Sequence, residues 1–140
     1  MEKETIVKIL ESEEYIDIVS LMENGYHLDK LINSNNWRIR EALARRGYAL
    51  EILINDDDCD VRAAVAEQRY GLDILINDKD EDVRAAVAKQ GYGLDKLVYD
   101  EEWEVRLAVA KQGYGLDILI NDEDEDVRRV ANKKLQELNK

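Results

Sequence analysis

Apolar residues along this chain recur at helical spacing and are interrupted by short polar runs. In residues 70–91 they form two successive groups spaced i, i+3, i+4: Leu72, Leu75 and Ile76, then Val83, Ala86 and Val87. Each group is typical of the buried stripe of an amphipathic helix. The polar run 77–80 between them indicates a turn. The pattern therefore predicts two short helices, of which the second has about ten residues.

This two-helix segment is copied along the chain with a period of 22 residues. Its tyrosine recurs in register at five positions: Tyr26, Tyr48, Tyr70, Tyr92 and Tyr114. A fixed period is typical of repeat proteins, whose units are too thin to bury their own apolar stripes and must stack on their neighbours. We therefore predict an all-α fold, in which stacked helix pairs form one curved α-solenoid.

The repeat frame divides a single domain, residues 1–140, into about six units. The units are a degenerate N-terminal capping repeat at 1–24, repeats at 25–46, 47–68, 69–90 and 91–112, and a last repeat with its C-terminal cap at 113–140. Both terminal units depart from the common pattern, as is expected where one face has no neighbour to cover it.

Both ends of the second helix carry recognisable signals. Acidic residues at 80–82 place negative charge in its first turn, where they cap free N–H groups and suit the helix dipole. A glycine that can adopt a left-handed conformation follows the helix in three copies: Gly47, Gly91 and Gly113. Arg69 occupies this position in the remaining copy, so we expect local strain or a different helix stop there.

The run LDILINDKDEDVRAAVA at residues 72–88 resembles the leucine-rich repeat variant family and, more broadly, HEAT-like repeats. The resemblance covers residues 26–132 clearly and 4–25 weakly. It implies paired short helices in a right-handed superhelix and a binding rather than catalytic role. The prolines common in that family's turns are absent, and the single cysteine, Cys59, excludes a cysteine-bound iron–sulfur domain.

The aspartate and arginine of HEAT-like repeats also carry over, six residues apart. They recur as Asp56/Arg62, Asp78/Arg84, Asp100/Arg106 and Asp122/Arg128. A planar guanidinium can fork to the carboxylate of its own repeat or of the adjacent one, so we interpret these residues as a structural ladder that sets the stacking register. Arg40 has Ser34 in place of the aspartate, which predicts that the ladder is broken there.

Charge narrows the range of partners. The chain carries 32 Asp and Glu against 20 Lys and Arg, for a net charge of −12. This balance argues against direct binding to nucleic acid, which needs a basic footprint, and against an anionic membrane surface. No apolar run is long enough for a signal peptide or a membrane span, so we expect a soluble cytoplasmic protein.

The acidic turns spell D-x-D-x-D three times, which resembles the opening of a calcium loop. Valine stands where that loop needs glycine, at Val61, Val83 and Val127. We therefore predict helix caps rather than a metal site.

No catalytic signature accompanies the only histidine, His27, and we predict neither enzymatic activity nor a cofactor. We interpret the position that His27 shares with Ala49, Gly71, Gly93 and Gly115 as freely variable. Cys59 shares a position with Trp37, Glu81, Trp103 and Glu125, which predicts an exposed place.

Variation among the copies indicates where a partner protein would bind. Positions 81, 85 and 89 and their equivalents are spaced by four, and we expect them to form one outward face of the second helices. The predicted anchors on this face are Trp37, Tyr99, Trp103 and Leu107, and the predicted charged rim is Arg38, Arg45 and Arg46. Packing of the two tryptophans into the core is the alternative.

Two functions follow from these observations. The first is a non-enzymatic protein–protein interaction module that binds its partner on the outward face. The alternative is an acidic inhibitor or nucleic-acid mimic that occupies a basic cleft of another protein, with the Asp-rich turns as its negative edge. We expect a monomer, and weak head-to-tail self-association stays open.

Overall fold

Helices of two lengths alternate along the chain. The computed structural model describes residues 18–23, 25 and 27–140. These residues form eleven helices and no strand: α1 (Ile18–Glu23), α2 (Leu28–Ile32), α3 (Trp37–Arg45), α4 (Leu50–Leu53), α5 (Cys59–Glu67), α6 (Leu72–Leu75), α7 (Glu81–Lys89), α8 (Leu94–Leu97), α9 (Trp103–Lys111), α10 (Leu116–Leu119) and α11 (Glu125–Leu138). The all-α prediction is confirmed. The first helix of each pair is shorter than expected, about one turn, whereas the second has nine residues or more.

The long helices α3, α5, α7, α9 and α11 begin at side-chain caps. Oδ1 of Asp80 accepts the N–H of Asp82 at 2.8 Å, and Asp58 and Asp124 cap their helices in the same way. The predicted capping role of the acidic turn is therefore confirmed. Glu102 holds this position before α9, and its side chain makes no capping bond.

The stop of the long helices behaves as expected. Gly47, Gly91 and Gly113 have φ between +75° and +79°, in the left-handed region that glycine adopts without strain. Arg69 adopts the same conformation with φ +60°, which costs free energy because its Cβ crowds the following carbonyl. The prediction of local strain at Arg69 is confirmed. Its side chain donates from Nη1 to the carbonyl of Gln90 at 2.7 Å.

The position before each short helix α4, α6, α8 and α10 is tightly constrained. Ala49, Gly71, Gly93 and Gly115 precede these helices with φ between +54° and +63°. A Cβ added at Gly71 would overlap Cδ1 of Ile54 in the preceding repeat. Our interpretation of this position as freely variable is therefore wrong. Only His27 has an extended backbone here, with φ −79°.

The long helices pack on one another in chain order. Contacts join α3 to α5, α5 to α7, α7 to α9 and α9 to α11, and each short helix contacts the long helices that flank it. One leucine from each short helix is buried in this stack, at 2% exposure or less: Leu31, Leu53, Leu75, Leu97 and Leu119. Burial of such a side chain contributes about 1.5–3 kcal/mol. The apolar stripes thus form one continuous core.

Bilayer spanning was examined over the same part of the chain. None of its helices combines the length and the apolar character that a membrane span requires.

A candidate partner-binding surface

The arginine ladder connects successive repeats. Arg84 donates from Nε and Nη2 to the two carboxylate oxygens of Asp100, sixteen residues later, at 2.8 and 3.0 Å. Its Nη1 donates to the backbone carbonyl of Asp78 in its own repeat at 2.7 Å. The same three bonds recur at Arg62 and Arg106. The carboxylate therefore comes from the adjacent repeat, which decides between the two pairings that the sequence left open.

The ladder also includes Arg40, so our prediction of a break there is wrong. Arg40 forks onto Asp56 at 2.8 and 3.1 Å and needs only the backbone carbonyl of Ser34, at 2.6 Å. Ser34 also replaces the aspartate within the turn, because its Oγ accepts the N–H of Asn36 at 3.1 Å. An inter-repeat fork does not depend on the aspartate of the arginine's own repeat.

Ladder residues are largely withdrawn from water. The Arg106 and Asp122 side chains are 9% and 7% exposed. Hydrogen bonding to Asp122 raises the pKa of Arg106. Burial by itself raises the pKa of Asp122, but the hydrogen bonds from Arg106 and from the Asp124 N–H outweigh it and lower that pKa below its ordinary value. Both groups therefore stay charged and paired at neutral pH.

Two of the three aspartates in each D-x-D-x-D turn are engaged within the fold. Asp78 accepts both Arg62 and the N–H of Asp80, while Asp80 caps α7. Burial, followed by the nearby carboxylates, raises the pKa of the third aspartate, Asp82, and the same holds for Asp60. These turns are consequently structural elements first, and only part of their charge is free for a partner.

One group of possible metal-ligand atoms occurs among the described residues. Oxygens of Asp58 and Asp60 and the sulfur of Cys59 lie within 4.8 Å of one another. Asp58 already accepts two backbone N–H groups of α5. Cys59 is half-buried against the core, so our expectation of an exposed cysteine is wrong, and burial raises the pKa of its thiol.

The predicted outward face of the long helices is only partly exposed. Ala85 is 7% exposed and belongs to the core, and Leu107 packs against that core. Neighbouring long helices cover this flank, because each packs between two others. Lys89 and its equivalents remain exposed: Arg45, Glu67, Lys111 and Lys133.

The predicted binding residues of the first clear repeat are engaged within the fold. Trp37 is half-buried against the core, and the guanidinium of Arg38 lies 5.5 Å from the centre of its ring. Arg45 pairs with Glu41 at 2.8 Å, while Arg46 is exposed after α3. The structure therefore does not present Trp37 as a free aromatic anchor.

The predicted aromatic residues of the fourth repeat are exposed. Tyr99 is 71% exposed and Trp103 is 38% exposed. Trp103 and Arg106 line a shallow cavity of about 250 Å³ together with three carboxylates, from Glu101, Glu123 and Asp124. Glu123 is 86% exposed and approaches Nη2 of Arg106 at 3.6 Å. An aromatic ring beside three carboxylates suits a cationic side chain.

The short helices expose an apolar row that our sequence analysis missed. Ile52, Ile74 and Ile118 are exposed by 52%, 60% and 40% at equivalent positions. The preceding residue is acidic and exposed in all five short helices: Asp29, Glu51, Asp73, Asp95 and Asp117. The missing signal was available, because Ile74 does not belong to the predicted stripe of Leu72, Leu75 and Ile76.

The turns place this row beside the aromatic residues. Lys96, which holds the isoleucine position of its repeat, donates from Nζ to the side-chain oxygen of Asn77 in the preceding repeat. A cavity of about 480 Å³ joins the equivalent positions Asn33 and Ile52. The same register brings Ile118 next to Tyr99. We call this surface, the exposed short-helix residues with the turns that follow them, the turn edge.

Comparison with known proteins leaves the surface as the main evidence on function. No protein-family model matches the chain, and neither curated proteins nor solved structures gave a significant match.

Proposed function

We propose that this protein is a non-enzymatic protein-binding module, built as a right-handed solenoid of about six repeats of the leucine-rich repeat variant or HEAT-like type. The chain-order contacts of the long helices and the inter-repeat ladder support the solenoid. In such arrays, aligned surface positions form extended binding surfaces for other proteins.

The observation that carries the binding function is the exposure of Tyr99 and Trp103 beside carboxylates. A solvent-exposed tryptophan and tyrosine in one repeat are the residue types most enriched among interface anchors. Other copies place asparagine or an acidic residue at these positions, as Asn77 and Glu81 do, so the fold does not require the aromatic rings. We assign them to the partner contact.

The partner's chemistry follows from what surrounds these anchors. Glu101, Glu123 and Asp124 would hold a lysine or arginine side chain against the ring of Trp103. Along the turn edge, the exposed isoleucines would pack on apolar side chains of the partner, and the adjacent acidic row would pair with its basic ones. The preferred occupant is a protein segment with alternating basic and apolar residues.

A reversion to the common repeat sequence tests this proposal. The double variant Tyr99→Asn and Trp103→Glu gives the fourth repeat the residues found in the third, so its unfolding free energy should stay within about 0.5 kcal/mol of wild type. A displayed peptide library selected on the wild-type protein should enrich basic, apolar sequences. Their affinity should fall roughly tenfold or more on the double variant.

Lys111→Gln, an exposed change on the same helix α9, is the matched control and should bind these peptides as the wild type does. Enrichment of acidic peptides would contradict the proposed chemistry. Equal binding by the double variant would remove Tyr99 and Trp103 from the site. Loss of stability comparable to a core truncation would assign the two rings to the scaffold.

The exposed acidic row favours a second candidate, an acidic inhibitor or nucleic-acid mimic. One carboxylate per repeat, from Asp29 to Asp117, gives a regular negative edge. The engagement of the turn aspartates in ladder and caps weighs against it. Salt separates the two functions: mimicry should weaken steeply with ionic strength, whereas an aromatic-anchored contact should change little.

A further inference from the structure

The last arginine of the ladder has an open fork. Arg128 keeps the bond from Nη1 to the carbonyl of Asp122, at 2.6 Å, and so is oriented as its equivalents are. In the four preceding repeats, Nε and Nη2 hold the aspartate of the next repeat at 2.8 and 3.0–3.1 Å. Within the part of the chain that the structure describes, no carboxylate accepts from these two groups of Arg128. The half-buried guanidinium therefore presents a carboxylate site in a geometry that the array fills four times.

Charge around this site is opposite to that of the whole chain. Residues 128–140 carry five Lys and Arg against one Glu, although the net charge of the protein is −12. Arg129 is already paired with Asp126 within α11. Leu138 is 69% exposed on the same helix. This end of the array thus combines an oriented donor fork, positive charge and an exposed apolar side chain.

The chain itself contains a segment of matching chemistry. Residues 1–17 carry six Asp and Glu against two Lys, together with apolar residues such as Ile6 and Leu10. Counting back by the 22-residue period from Asp56 and Ser34, the ladder position falls on Ser12, which is flanked by Glu11 and Glu13. A second copy that continued the stack would therefore bring glutamates, rather than an aspartate, to Arg128.

We infer that the α11 end of one copy binds the acidic segment 1–17 of a second copy, with a glutamate carboxylate accepting from Nε and Nη2 of Arg128. The contact is heterologous, so it links copies head to tail rather than closing a symmetric dimer. It lies at the end of the array and uses none of the turn-edge residues. The two proposals therefore stand independently.

Sedimentation equilibrium of the full chain tests the inference. At low salt the wild type should show a weight-average mass that rises with concentration, and high salt should abolish the rise. Arg128→Gln should weaken the association constant roughly tenfold, because it removes a charge-assisted fork. Arg129→Gln removes the same charge from the neighbouring residue and should associate nearly as the wild type does.

Charge reversal identifies the occupant. Arg128→Glu should be monomeric, and combining it with Glu11→Lys and Glu13→Lys should restore association. Glu11→Gln with Glu13→Gln gives a test that leaves α11 unchanged and should also weaken association, even if an Arg128 variant folds poorly. The variant Tyr99→Asn with Trp103→Glu should associate normally.

Three results would overturn the inference. They are a wild type that stays monomeric at every concentration in low salt, equal effects of Arg128→Gln and Arg129→Gln, and association that survives neutralisation of Glu11 and Glu13.

Discussion

Arg84 grips Asp100 of the next repeat through two parallel hydrogen bonds, of 2.8 and 3.0 Å, while both side chains are about nine-tenths buried. A planar fork on a planar carboxylate fixes orientation as well as distance. Because the same pair recurs between successive repeats, it sets the rotation and offset of each unit relative to the one before it. The ladder therefore specifies the register of the array.

Loss of one ladder arginine should be costly. Arg84→Gln leaves the buried carboxylate of Asp100 without its charged partner, so we expect a loss of about 3–5 kcal/mol in the free energy of unfolding. Arg45→Gln removes an ion pair whose arginine is 58% exposed and should cost about 1 kcal/mol or less. Urea unfolding of both variants measures the difference, and equal costs would contradict a structural role for the buried fork.

Acid should weaken the fold through Asp122. The pKa of this carboxyl is lowered in the folded state, so its charged form stabilises the fold above the unfolded value of about 3.9. That contribution is lost as the pH falls through the lowered folded pKa. Asp122→Asn should therefore cost stability at neutral pH and lose less on acidification than the wild type does. Urea unfolding between neutral and acidic pH checks this, and parallel curves would exclude the linkage.

The glycine before α6 should not tolerate a side chain. Gly71→Ala forces alanine to φ +62° and overlaps Ile54, so we expect a loss of about 2–4 kcal/mol. Ala49→Gly makes the opposite change at the equivalent position, where alanine already has φ +54°. It should be neutral or stabilising by up to about 1 kcal/mol. Thermal unfolding compares the two, and similar shifts in Tm would refute the steric argument.

The unfilled cap of α9 should be improvable. Glu102 stands where Asp58, Asp80 and Asp124 cap the other long helices, but it makes no capping bond. Glu102→Asp should stabilise the protein by about 0.5–1 kcal/mol, since aspartate is a preferred cap residue. Glu101→Asp, the same change one residue earlier, should be neutral. An unchanged Tm for Glu102→Asp would show that α9 starts differently.

Much of each repeat could be predicted from its own residues. The stripe of Val83, Ala86 and Val87, the cap at Asp80 and the strained stop at Arg69 all depend on interactions within one helix or its ends. These are local rules of spacing and backbone conformation. They therefore hold whatever lies next to the repeat.

Contacts between repeats escaped the sequence for a physical reason. Arg84 has an aspartate six residues before it and another sixteen residues after it, and both spacings recur with the period. Only packing decides which carboxylate meets the guanidinium. The same holds at Gly71, where the obstacle to a side chain is Ile54 of the preceding repeat.

Exposure was decided in the same way. Composition and period determined that the chain forms short helices, that each unit needs neighbours, and that Tyr99 and Trp103 are exceptions among the copies. Tertiary structure decided that Ala85 is covered, that Ile74 is exposed and that Arg128 lacks a carboxylate partner among the described residues. A periodic sequence records which residues are equivalent, whereas burial depends on how far each unit is displaced and rotated on its neighbour.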